Sequence, residues 1–221
     1  MTTTLIRPAL PSAQRQQGLV LFFALIALLV LSLAAAALIR SVDTSTMVAG
    51  NLAFKQAATS AGDAGIEAAI TWLAQKRDGE TRDIFTDPQH TLNQDHLTAN
   101  SESYYSSVHD DPADPAYIDL FSDANWANDS KSVFVGTDAA TGNTTRYIIQ
   151  RLCRDPNKTI VTAGCLFAGG LTDNNGQHIP LLEDVCAGPG CPTTGQTPLI
   201  RITSRVTGPK NTVSYVQAFV Y

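Results

Sequence analysis

The chain carries little charge: 15 Lys and Arg against 20 Asp and Glu in 221 residues, net −5, with no run rich in Lys or Arg. Without a basic patch to displace phosphate counterions, a nucleic-acid partner is not expected. There is no proline between Pro11 and Pro88, so nothing of that kind breaks a helix across the span. No acidic residue precedes Asp43, which leaves Arg7 and Arg15 as the only charged side chains ahead of a long apolar run. The patterns G-x-S-x-G, H-E-x-x-H and G-x-x-x-x-G-K-[ST] are all absent, which removes the common serine-hydrolase, zinc-protease and phosphate-loop chemistries. His90, His96, His109 and His178 fall in polar, loop-like stretches and are expected to be mostly solvated. No enzymatic activity and no cofactor are expected.

One window stands out among what is present. Arg15-Gln-Gln-Gly18 runs into residues 19–39, whose only polar member is Ser32. As a helix rising about 1.5 Å per residue, that run is about 31 Å long, enough to cross a bilayer core of about 30 Å. Positive residues are retained on the cytoplasmic side, so residues beyond about 40 are expected on the other side. The helical pattern then continues. Phe54, Ala58, Ala61, Gly65, Ala68 and Trp72 recur at intervals of three and four, with Lys55, Gln56, Asp63 and Glu67 off the stripe. One helix is therefore expected over about 19–76, with residues 40–77 as an amphipathic continuation of the apolar half. Ala61 and Ala68 mark the expected points of closest approach to another layer.

Residues 78–131 hold ten aspartates and little periodicity, and read as solvated loops. Asp110, Asp111, Asp114 and Asp119 form a weak calcium candidate, since hard cations take clustered carboxylates. The Asp-x-Asp-x-Asp-Gly loop is missing, so no metal is expected. The C-terminal third is β: residues 132–136 and 146–153 are rich in β-formers, and residues 200–207 and 213–221 alternate about turn chemistry at 208–211. A striped helix with such a sheet predicts an α+β domain. Cys153, Cys165, Cys186 and Cys191 all lie in the exported half, which fits disulfides better than zinc. Four cysteines allow three connectivities. The short Gly-Pro-Gly loop favours Cys186–Cys191, leaving Cys153–Cys165.

The glycine-ended leader, the apolar run, Met47-Val-Ala-Gly-Asn51 and residues 57–69 resemble the N-terminal signature of PilX-type minor pilins of type IV pili. Residues 201–217 resemble the C-terminal strands of that family. The resemblance implies a prepilin-type leader over 1–18, cut by a prepilin peptidase between Gly18 and Leu19, a transmembrane helix over 19–39, and an exported pilin-like domain over 78–221. It implies an inner-membrane protein with a cytoplasmic N-terminus and a periplasmic domain that joins a pilus on the cell surface. Its partners would be other minor pilins, the major pilin and a large tip adhesin, with a role in starting or capping the filament. Major pilins carry glutamate at the fifth mature position, where this chain has Phe23, which points to an accessory subunit. Two alternatives share much of this pattern. One is a tip pseudopilin of a type II secretion system. The other is a secreted periplasmic domain released by cleavage near Ala37.

Overall fold

The computed structural model describes residues 17–99, 101–180, 186, 188–209 and 212–221. Apart from its last two residues, the expected leader lies outside the described residues. Helix α1 runs Gln17–Asp78 without interruption, two residues beyond the expected helix at each end. No proline breaks it, and Lys76 and Arg77 put positive charge at the negative end of its dipole. The hydroxyls of Thr44, Thr46, Thr59 and Thr71 donate to carbonyls four residues back, so α1 satisfies them internally.

The chain forms two compact units, Met1–Leu52 and Ala53–Tyr221, and the division falls inside α1. In the first, every side chain over residues 19–39 is exposed. This part of α1 is long and apolar enough to cross a membrane.

The second unit is α+β. Its main sheet contains six strands: β1 (His96–Thr98), β2 (Glu102–Tyr105), β3 (Val133–Thr137), β4 (Thr144–Arg151), and, after a separate two-stranded ribbon of β5 (Phe167–Gly169) and β6 (Gln196–Pro198), β7 (Ile200–Gly208) and β8 (Thr212–Val220). The order is β1-β2-β4-β7-β8, with β3 also paired to β4. All pairs are antiparallel except β2 with β4. β2 and β3 divide one edge of β4: Val133 lies opposite Tyr147, and Tyr104 opposite Ile149.

Neighbouring strand residues point to opposite sides, and the central strands have buried residues on both faces. On one face Tyr104, Tyr147, Ile149 and Ile202 pack with Ile66, Ala69, Trp72 and Leu73 of α1. On the other, Tyr105 and Ile148 pack with Ile118 and Trp126, the latter in the short helix α2 (Asp123–Ala127). This second layer corrects the expectation of solvated loops over 78–131. It is held by local polar bonds: Trp126 Nε1 donates to the Leu120 carbonyl at 2.8 Å, and Ser103 Oγ and Tyr105 OH both donate to the Lys131 carbonyl. Isolated large residues separated by turns form it, and these leave no periodic mark in a sequence.

Disulfides join Cys153 to Cys165 and Cys186 to Cys191. The first also pairs as a β-bridge just beyond β4.

Candidate functional site

At the junction expected to be processed, Gly18 lies within α1 with nothing within 4 Å of where a side chain would begin, and Leu19 is exposed. The exposed apolar run follows directly. Ser32, its one polar side chain, donates to the Leu29 carbonyl at 2.8 Å, so the run offers no unpaired side-chain donor to lipid or to another helix.

The packed half of α1 seats on the sheet through glycine. A Cβ on Gly65 would collide with Ser204 Oγ of β7 and lie 2.8 Å from Thr145 Cγ2 of β4. One on Gly62 would collide with Val216 Cγ2 of β8. Thr145 Oγ1 donates to the Ala61 carbonyl at 3.3 Å, tying helix backbone to sheet. Of the residues expected on the packing stripe, Gly65 and Trp72 are buried, Ala58, Ala61 and Ala68 are half-buried, and Phe54 is 65% exposed. The buried face is Gly62, Gly65, Ile66, Ala69, Trp72 and Leu73, turned by about one residue from the expected stripe. The closest approach is at the glycines because a side chain at either position would overlap the Val216, Ser204 or Thr145 side chains of the sheet. Ile66 and Leu73 fill the space where the sheet recedes.

Past this seat, Trp72 stacks on Tyr104 at 5.5 Å between ring centroids, and Tyr104 OH donates to the Leu92 carbonyl. Lys76 reaches over Trp72 to pair with Glu102 of β2, which fastens the end of α1 to the sheet.

The polar interior is equally committed. His109, 6% exposed and with φ of 47°, sits between two carboxylates: Nδ1 is 2.7 Å from Asp114 Oδ2, and Nε2 is 3.2 Å from Asp95 Oδ2. Burial disfavours the charged ring, but the bonds to Asp95 and Asp114 outweigh it and raise the His109 pKa. Asp95 is likewise opposed by burial, yet its bonds to His109 and Ser106 lower its pKa. With both ring nitrogens held, His109 has none free to pass a proton to a ligand. Arg151, fully buried, donates to the Ser106 and Lys158 carbonyls and to Asn93 Oδ1. His90 is also buried, its Nδ1 accepting from the Leu92 amide. His90 and His109 thus depart from the expected solvated histidines, because each is consumed by a turn or ion-pair network.

The calcium candidates do not converge. Asp111 and Asp119 each accept from a backbone amide two residues on, Asp114 holds His109, and Asp110 is exposed. Among the described residues no group of three or more His, Cys, Asp or Glu side chains is placed to hold a metal. Gly62 and the partners of His109 were not legible as site residues. The Gly62-x-x-Gly65 spacing was the available signal for the first, and nothing local signals the second. No protein-family model matches the chain, and neither a curated protein nor a solved structure matches it. What stands is the arrangement itself: a long apolar N-terminal helix whose second part packs on a mostly antiparallel sheet, which is pilin-like.

Proposed function

We propose that this chain is a PilX-like minor pilin. Its activity is assembly, without catalysis. Residues 19–39 anchor it as a single-pass protein of the inner membrane, N-terminus in the cytoplasm and domain in the periplasm, and later pack with other pilin helices. It helps start or cap a type IV pilus beside other minor pilins, the major pilin and a large tip adhesin. The observation that carries this proposal is the division of α1: residues 19–39 are exposed and, apart from Ser32, apolar, whereas its later part is seated by glycines on a sheet. An apolar surface of that length needs lipid or other helices to cover it. Phe23 supports an accessory role. A bulk subunit needs a carboxylate there to neutralise a buried amine, and Phe23 has none.

The test is the mature N-terminus in cells with and without prepilin peptidase. The expected result is a chain beginning at Leu19 only when the peptidase is present, found in sheared pili. A start near Ala37 in either strain would replace the proposal with a secreted domain. Correct processing with recovery only alongside a type II secretion system would move it to the tip of a pseudopilus.

A further inference from the structure

β8 is a sheet edge without the usual protection. Edge strands present a row of unpaired backbone groups and are normally blunted by charge, proline, a bulge or brevity. β8 has none of these. It is nine residues long, and Thr212–Val220 contains no charged residue, no proline and no glycine. Its register against β7 is unbroken from Gly208 opposite Thr212 to Ile200 opposite Val220. In an antiparallel pair, every second residue turns its N–H and C=O away from the partner strand. Among the described residues no further strand pairs with β8 and no other backbone hydrogen bond reaches it.

The side chains beside this edge are also set for a partner. Ser214, Val216, Ala218 and Val220 are half-buried on the α1 side. On the opposite side Val213, Tyr215 and Phe219 are 39%, 39% and 54% exposed. Phe121, 87% exposed, stands edge-on to Tyr215 with ring centroids 6.3 Å apart and widens the apolar strip.

We infer that β8 accepts an added β-strand from another protein: an extended, uncharged segment with β-branched or aromatic residues at alternate positions. Backbone pairing supplies the affinity, and the Tyr215–Phe219 strip selects the alternate side chains. The absence of charge along β8 leaves no ion pair to favour a charged strand, and its apolar strip favours apolar side chains. A second copy of this chain fits less well. Two-fold pairing about Val216, the middle residue, sets Gln217 against Tyr215 twice, where an aromatic or β-branched partner is preferred. This inference uses only the sheet edge and does not rest on the pilus proposal.

The experiment is amide hydrogen exchange on the full chain in detergent micelles, with an uncharged nine-residue synthetic peptide, Val and Tyr alternating with Thr and Ser, as probe. That peptide carries β-branched or aromatic residues at alternate positions, as the inferred partner strand requires. Alternate amides of β8 should exchange freely in the protein alone and slow roughly ten-fold or more with peptide. The double variant Val213→Lys/Phe219→Lys, both exposed positions, should keep the wild-type Tm and lose the protection. A scrambled peptide should not protect. No protection up to the peptide's solubility limit would overturn the inference, as would equal protection in the variant or by the scrambled peptide. Protection of β8 without peptide, together with a dimeric mass by light scattering, would assign the edge to a second copy and overturn it too.

Discussion

Gly65 of α1 lies so close over Ser204 of β7 that a single methyl group cannot fit between them. Gly65→Ala would gain about 1 kcal/mol of intrinsic helix preference. It should still destabilise the domain, by about 1–3 kcal/mol, because the new methyl would also lie 2.8 Å from Thr145 Cγ2 on the neighbouring strand. Thermal melts of the full chain in detergent measure this. Among the described residues Ser204 Oγ is buried without a hydrogen-bond partner, so Ser204→Ala should be neutral or slightly stabilising and should soften the Gly65→Ala penalty. Ala61 and Ala68, only half-buried, should tolerate enlargement better than Gly65 does.

The Asp95–His109–Asp114 cluster makes stability depend on pH. His109 has a raised pKa when folded, so its contribution is complete below its ordinary value of 6.5 and is lost as pH rises through the folded value. Asp95 and Asp114 have lowered values, so theirs is complete above the ordinary 3.8 and is lost as pH falls through the folded values. The cluster's contribution therefore peaks between these limits. His109→Gln should cost about 3 kcal/mol at pH 5 by leaving the partly buried Asp95 without its cation. It should also flatten the decline above pH 6.5. Chemical denaturation at several pH values shows both.

Cys153–Cys165 closes a segment of sequence separation 12 beside the core, with Cys153 2% exposed. Replacing both by serine should cost about 2–4 kcal/mol, within the usual range for a bridge of that span. Replacing Cys186 and Cys191, separated by five, should cost less, because a shorter loop has less freedom to lose in the unfolded chain. Melts under oxidising conditions rank the two.

Phe23 leads to a prediction about copy number. The protein should occur in few copies per pilus, at one end. Its loss should reduce the number of pili more than their thickness. Phe23→Glu should impair membrane retention by about 2.5–3.5 kcal/mol unless a neighbour's amine meets it. Quantitative mass spectrometry of sheared pili and antibody labelling in electron micrographs are the measurements, and labelling along the whole shaft would contradict the proposal.

Some of this was legible in the sequence because it is local. The apolar run from Leu19 to Ile39, the absence of proline through α1, and the alternation from Ile200 to Tyr221 each reflect the period of one element, which a linear pattern records. The α+β arrangement follows from combining them. The Cys186–Cys191 bridge was legible for the same reason, as a five-residue separation with Gly-Pro-Gly inside.

Only the tertiary structure decided the rest. Which face of α1 turns inward depends on where the sheet comes nearest, and that distance selected Gly62 and Gly65 over Ala61 and Ala68. The layer that Ile118 and Trp126 form over Tyr105 and Ile148 has no period, since a loop and the five-residue α2, not a long regular element, carry those two side chains to the sheet. His109 reads as a loop histidine until folding brings Asp95, 14 residues away, to its second nitrogen. Periodicity specifies the elements of this protein, whereas contacts between residues distant in the chain specify its buried polar groups and its packing faces.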